Sequence, residues 1–355
     1  MANSVAGYAA TNSRVRVMYS TLLSEPDRAR LYEAPDLDNL VTILKSTAYG
    51  PYVDRIKDNA LNARRVAFHI RGRLADTYMS LIHTAPEHAR SLLAQRYRYF
   101  EVDNLKAVLR GIVTGASWDR VRFVLFPYGP DSVLPAQEMV ESGSIPAAIE
   151  MLRNTLYYET LSYALKRYSA EQNIFPLEVA LDLNYWRTLW KEINRLSGDD
   201  RTQALRIIGT LVDMNNLMWS VRYRVYHHLS EEEVINYTLP FGYHVHDADI
   251  RAIAAGGDIS QVLKRVYPDL TDVDGMLQDK TTGLSRLEVE LQRHVVEKCH
   301  LAFVGNPFHI GIPLAYLELS ELEIQDLVVL IEAKSTGAPL NVFREYLVMG
   351  TPVKA

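Results

Sequence analysis

Short signatures return along this 355-residue chain at a spacing close to 110 residues, and a period of that length restricts the fold more than any local feature does. A Leu, basic residue and Tyr combination occurs as LKSTAY, LRNTLY and LKRVY, ending at Tyr49, Tyr157 and Tyr267, 108 and 110 residues apart. An Asn- or Asp-containing stretch, VDNLKAVLR, MNNLMWSVR and IQDLVVLIE, places Leu105, Leu217 and Leu327 at intervals of 112 and 110. A Pro-aromatic-Gly turn recurs at Pro127 and Pro240, each preceded six residues earlier by a valine, Val121 and Val234. LEVALDLNYW from Leu177 and LEVELQRHVV from Leu287 are a further pair 110 apart; the matching stretch of the first unit, Arg65 to Tyr78, lacks the Leu-Glu dipeptide. Agreement among independent signatures predicts three tandem units, 1–115, 116–228 and 229–355. Within each, a short helix leads to the Tyr, followed by a long helix, the Asn-Leu helix and a closing turn.

Apolar residues at spacings of three and four predict helices over Arg28–Leu44, Leu92–Ile112, Ala147–Tyr168, Leu177–Leu196, Thr202–Tyr226, Ile259–Tyr267 and Ser285–Cys299. A further helix carries Leu319, Leu322, Ile324, Leu327, Leu330 and Ile331 and stops at Gly337 and Pro339, with a short helix expected over Asn341–Val348. Ser230 with Glu233 forms a capping-box pattern, and Ser117 with Asp119 begins the equivalent helix one unit earlier. VRFVLFPYG is the one run with a strand-like look, and its repeat partner EEEVINYTLPFG reads as helix. The fold class expected is all-α.

Charge and composition exclude several classes of function. Net charge is −5 with Lys and Arg dispersed, so neither a nucleic-acid footprint nor a basic membrane patch is present. Apolar residues make up 48%, ordinary for a folded domain and far from disorder. The lone Cys299 can form no internal disulfide, which fits a reducing compartment. No basic start followed by an apolar core marks a signal peptide, and no apolar window of about 18 residues marks a membrane span. Leu301–Leu317 comes nearest but contains Asn306, Pro307, His309 and Pro313.

Candidate chemistry thins out on inspection. Lys334-Ser335-Thr336 has the end of a phosphate loop but Val328 and Ala333 where glycines are required, so no nucleotide site is expected. His244, His246 and Asp247, with His227 and His228 nearby, lack the i, i+4 spacing of a helical metal pair. Glu178 and Asp182 form an i, i+4 carboxylate pair, yet Gln292 replaces the second acid in the next unit, which favours a structural role. Tyr49, Tyr157 and Tyr267 read as buried rings whose hydroxyls reach a local partner. No catalytic, metal or cofactor site is expected.

The C-terminal stretch begins Pro307..Ile310-Gly311.Pro313-Leu314-Ala315-Tyr316-Leu317 and continues through Glu323, Ile324 and Leu327. It then turns at Lys334..Gly337.Pro339 and ends at Leu347-Val348. Together with the period and the N-terminal Tyr8 and Arg14-Val15-Arg16, it resembles the central-stalk family of V-type and A-type rotary ATPases whose members are designated C in prokaryotes and d in eukaryotes. In that family's pattern a Gly is usual at Ala333 and an Asn at Asp326. The resemblance implies three pseudo-threefold helical domains forming a funnel that caps a proteolipid ring (c/K/L-type) and receives the central shaft. Such a protein would bind no nucleotide or nucleic acid, and would be peripheral on the cytoplasmic face of a membrane. On this reading Asn104 with Arg110, Asn216 with Arg222, and Asp326 with Lys334 present polar groups to the partner subunits. The competing reading, a soluble helical-repeat adaptor, is disfavoured by a period well above the roughly 30 to 50 residues of common solenoid units.

Overall fold

The computed structural model describes residues 2–56, 61–226 and 228–349, and every regular element among them is helical. The chain begins with α1 (Ala2–Tyr19), α2 (Glu25–Glu33), α3 (Leu37–Lys45) and the single turn α4 (Gly50–Val53). A long hairpin follows, α5 (Ala63–Thr84) and α6 (Glu87–Val113). Short helices α7 (Trp118–Val121), α8 (Ala136–Glu141) and α9 (Ile145–Glu150) lead to α10 (Tyr158–Glu171). In the second hairpin α11 (Phe175–Arg195) pairs with α12 (Gly198–Ala204), which runs through a π-helical turn (Leu205–Gly209) into α13 (Thr210–Val221). Then come α14 (Glu231–Asn236), α15 (Asp247–Ala254), α16 (Ile259–Val266) and α17 (Val273–Gln278). The third hairpin is α18 (Gly283–Ala302) and α19 (Gly311–Thr336), closed by α20 (Leu340–Phe343).

Local chemistry explains most boundaries. Ser24 and Asp27 cap α2 reciprocally, and Ser230 and Glu233 do the same for α14, as their spacing predicts. The helix expected over 28–44 is broken at Pro35, which removes a backbone donor and forces Ala34 out of the helical region; Asp36 then caps α3 by accepting from the Asn39 N–H at 2.9 Å. The stretch expected over 147–168 divides likewise, into α9 and α10 with turns between. After α7 the VRFVLF run makes turns and no strand. Residues 341–348 are only partly helical, since α20 gives way to a 3₁₀ turn at Arg344–Tyr346. Helix α19 is buried on nearly every side, so it is a central helix and not an amphipathic surface one. It ends where Gly337, at φ 69°, enters the left-handed region.

The repeat is visible in packing as well as in sequence. The first long helix of each hairpin packs on the second long helix of the hairpin before it: α11 on α6, α18 on α13, and α5 on α19. The contacts therefore run in a circuit, and the last returns from the C-terminal hairpin to the first. Short helices cover each junction, with α8 and α9 on α6 and α10 on α11, and with α15 on α13 and α17 on α18. At the third junction the cover comes from the N-terminus, with α3 on α19 and α4 on α5. Contacts thus cross residues 115 and 228 and join the two ends of the chain.

The three second helices also meet where they begin. His88, Asp200 and Ile310 occupy equivalent repeat positions, and Asp200 joins the other two: His88 Nε2 lies 2.8 Å from Asp200 Oδ2, and the Ile310 N–H donates to Asp200 Oδ1 at 2.7 Å. A Cβ on Gly311 would lie 2.8 Å from the Cβ of Gln203, so α19 starts against α12 only because that residue is glycine.

Candidate functional site: a repeated acid and a repeated clamp

The Asn-Leu signature marks a backbone clamp. Asn104 donates to the Phe126 carbonyl at 2.8 Å and accepts from the Phe126 N–H at 2.6 Å. Asn216 accepts from the Leu239 N–H at 2.9 Å and donates to the Leu239 and Phe241 carbonyls at 3.2 and 3.0 Å. Asp326 accepts from the Val348 and Met349 N–H groups at 2.7 and 2.8 Å. Each side chain is buried and holds a segment that returns 22 to 25 residues later. The change from Asn to Asp follows from the partner: two segments offer an N–H and carbonyls, which an amide matches, while the third offers two N–H groups, which a carboxylate matches.

One turn earlier on the same helices stand three acids that the signatures did not include as a set, Glu101, Asp213 and Glu323, each almost fully buried. Glu101 accepts from the Tyr157 hydroxyl at 2.7 Å, the Val133 N–H at 2.7 Å and Ser132 at 3.0 Å. Glu323 accepts from the Tyr49 hydroxyl at 2.8 Å and the Leu23 N–H at 2.6 Å, with the Arg73 guanidinium at 3.5 Å. The recurrent tyrosines are therefore buried rings, as expected, but the partners of Tyr49 and Tyr157 lie in other units and not nearby in sequence. Asp213 has one methylene fewer and binds the adjoining loop, accepting from the N–H groups of Tyr243, His244 and Val245 at 2.7, 2.7 and 3.1 Å. The Tyr267 hydroxyl is left without a hydrogen bond. Burial pushes the Asp213 and Glu323 carboxyls above the usual range, against the hydrogen bonds that lower them. Acids at 101, 213 and 323 repeat at 112 and 110, so this signal was present in the sequence.

The cations of the signature lie toward the far ends of the same helices. Arg110 Nε reaches Glu178 Oε1 of α11 at 2.5 Å, and Lys106 reaches Asp182 at 2.8 Å. The i, i+4 carboxylate pair is thus matched by two cations and poses no acid-base arrangement. Arg222 approaches Glu288 of α18 at 3.8 Å, repeating the Arg110 contact one junction later. At the third junction the repeat places Phe68 where that glutamate would stand, and Lys334 donates instead to the Tyr32 carbonyl at 2.7 Å. Of the six residues predicted to face partners, Asn104, Asn216 and Asp326 are buried and committed within the chain, whereas Arg110 and Arg222 keep 56% and 41% of their side-chain surface exposed.

Between α6 and α19 a third polar group is enclosed. One guanidinium nitrogen of Arg96 donates to Glu318 at 3.0 Å and to Glu321 at 2.6 Å. Burial raises the Glu321 carboxyl to about 7, with Arg96 pulling the other way and Glu318 adding to the rise.

The remaining candidates carry no shared site. His244 uses its backbone N–H on Asp213, His246 stands at the start of α15, and Asp247 pairs with Arg251 at 2.6 Å. His227 lies outside the described residues. Among the described residues no group of three or more His, Cys, Asp or Glu side chains is arranged to hold a metal. Lys334-Ser335-Thr336 forms the last turn of α19, and Cys299 is buried on α18.

Comparison with known proteins places this arrangement. The model of the ATP synthase (C/AC39) family matches residues 11–346. The C-type subunit of the A-type ATP synthase of Methanocaldococcus jannaschii is 26% identical over 348 residues, covering 97% of this chain and 87% of its own length. Its counterparts of the same name from Methanothermobacter thermautotrophicus and Methanococcoides burtonii are each 24% identical, covering 96% and 98% of this chain and 87% and 95% of their own.

Proposed function

Because the chain belongs to the ATP synthase (C/AC39) subunit family, we propose that it is the central-stalk rotor subunit that joins the shaft of a rotary ATPase to its membrane proteolipid ring. It carries torque and no chemistry of its own. Among the described residues no helix is long and apolar enough to cross a membrane. On this reading the protein is peripheral and meets the membrane through the ring. The observation that carries this reading is the closed circuit of helix contacts, with a buried acid from each hairpin bonded to the segment that covers its junction. A part that transmits torque needs such stiffness, since a loose junction would absorb the rotation as deformation.

In this reading the three hairpins with their covers are the pseudo-threefold domains of a funnel, and its wall receives the shaft. Arg110, Arg222 and Lys334, near the ends of α6, α13 and α19, supply polar contacts to the shaft, while Asn104, Asn216 and Asp326 hold the adjoining segments in shape.

Exchange of one ion pair tests the placement. In Arg110→Glu with Glu178→Arg the internal pair is restored with its charges reversed. The exchanged protein is expected to melt within a few degrees of the parent yet bind the purified shaft subunits about tenfold more weakly. Unchanged binding would remove Arg110 from the interface. Gentle solubilisation of native membranes and native mass spectrometry of the tagged protein test the wider reading, which requires ATPase head, shaft and proteolipid subunits in the retained complex.

A further inference from the structure

The repeat accounts for the buried acids, the clamps and the ion pairs, and this makes one surface feature conspicuous because the repeat does not account for it. An open cleft of about 430 Å³ lies at the junction of the second and third hairpins, lined by Arg206, Tyr243, His244, Lys298, Leu301 and Val304. No acid lines it. Among the described residues neither Arg206 nor Lys298 has an ion pair, although the chain carries a net charge of −5 and most other junction cations are matched. Beside these cations Leu301 and Val304 are 51% and 74% exposed, among the most exposed large apolar side chains of the molecule.

Shifted by the repeat, Arg206 corresponds to Ala94 and Tyr316, Lys298 to Thr188, Leu301 to Lys191 and Val304 to Asn194. The equivalent junction between α6 and α11 therefore has no cation at the positions of Arg206 and Lys298, and has Lys191 and Asn194 in place of the aliphatics Leu301 and Val304, so the fold requires neither the two cations nor the two aliphatics. Exposed aliphatic side chains rimmed by charged groups mark a surface that another molecule covers.

We propose that this cleft is a docking site for an acidic segment of another protein subunit, one that carries aliphatic side chains next to its carboxylates. Charge complementarity selects the acidic partner: Arg206 of the second hairpin and Lys298 of the third donate to its carboxylates, and Leu301 and Val304 cover the flanking aliphatics. Concavity favours a protein segment over a bilayer, because a planar headgroup surface cannot follow cations into a cleft. The site is asymmetric within a three-unit molecule, so it would give the protein one fixed angular setting against that partner.

Photo-crosslinking tests this with the full chain in its native membranes, before any purification. Benzoyl-phenylalanine replaces Val304, and Tyr163, 72% exposed on α10, is replaced in the control. The expected result is an adduct at 304, mapped by mass spectrometry to a protein segment with Asp or Glu beside aliphatic residues. Its yield should fall about tenfold in the Arg206→Glu, Lys298→Glu background and be kept with Arg206→Lys, Lys298→Arg. An adduct to lipid alone, a yield insensitive to charge reversal, or no adduct overturns the proposal. Native mass spectrometry of the same membranes separates the two readings. An intact ATPase without an adduct sinks the cleft alone, and an adduct to an acidic segment of an unrelated protein keeps the cleft while sinking the rotor.

Discussion

A single Arg96 nitrogen facing Glu318 and Glu321 leaves the enclosed group one cation short of its two acids, and an uncompensated buried charge costs several kcal/mol. Taking up a proton is the cheaper state, which agrees with a Glu321 carboxyl raised to about 7 from 4.5. The folded protein thus binds more protons than the unfolded chain between those values, so this contribution to stability is complete below pH 4.5 and is lost as pH rises through 7. Asp326, raised to about 6, acts in the same direction. Urea titrations across this range should show stability falling with pH by about 3 kcal/mol from Glu321, and Glu321→Gln should flatten the fall without abolishing it, since Asp326 remains. An unchanged slope would refute the assignment. The clamps make a second contrast. Asn216→Asp sets a carboxylate against two carbonyls and should cost about 2–4 kcal/mol, whereas Asp326→Asn loses one acceptor and should cost about 1–3 kcal/mol, both read by urea denaturation.

At the scale of helices, the junctions differ by one methylene. Glu101 and Glu323 reach the tyrosines of the covering segments, and Asp213 does not reach Tyr267. Tyr49→Phe and Tyr157→Phe should therefore each cost about 1–3 kcal/mol, while Tyr267→Phe should be neutral or slightly stabilising, because it removes a buried hydroxyl that has no partner. Equal losses at all three positions, measured by thermal and urea unfolding, would show that the shared burial and not the hydrogen bond matters. The helices, the order of elements within each unit and the buried tyrosine rings were legible in the sequence, because helical periodicity and a fixed repeat record which faces are apolar. Which unit each tyrosine serves was not legible: a period records spacing between equivalents, and the same spacing fits packing within a unit or across to its neighbour. The breaks at Pro35 and between α9 and α10 were lost for a different reason, since apolar spacing stays in register across a short turn. The inward hydrogen bonds of Asn104, Asn216 and Asp326 were not legible either, because a polar residue on a helix reads the same whether it meets solvent or a buried backbone.

For the whole molecule, the decisive asymmetry is covalent. The first and second junctions are spanned by chain running from one hairpin to the next, through residues 116–171 and 228–278, but the third joins α19 to a cover that lies at the other end of the sequence. Only noncovalent contacts close it. Glu323 gathers several of them, holding Leu23, Tyr49 and Arg73 at once, while Lys334 holds Tyr32 and Asn12 holds Pro307. Loss of an equivalent contact elsewhere lets a cover lift while the chain still bridges the junction. Loss of Glu323 frees a cover whose chain does not continue into α19, so α2, α3 and the α5–α19 contact should loosen together. Removing one partner of such a buried pair costs about 3–5 kcal/mol, enough to raise local opening by two or more orders of magnitude. Hydrogen exchange should accordingly show Glu323→Ala deprotecting α2, α3, α5 and α19 as one unit, and Glu101→Ala deprotecting mainly the 116–157 cover. Deprotection in Glu323→Ala confined to residues 20–49 would mean that α5 holds α19 unaided, and that the circuit is closed by apolar packing alone.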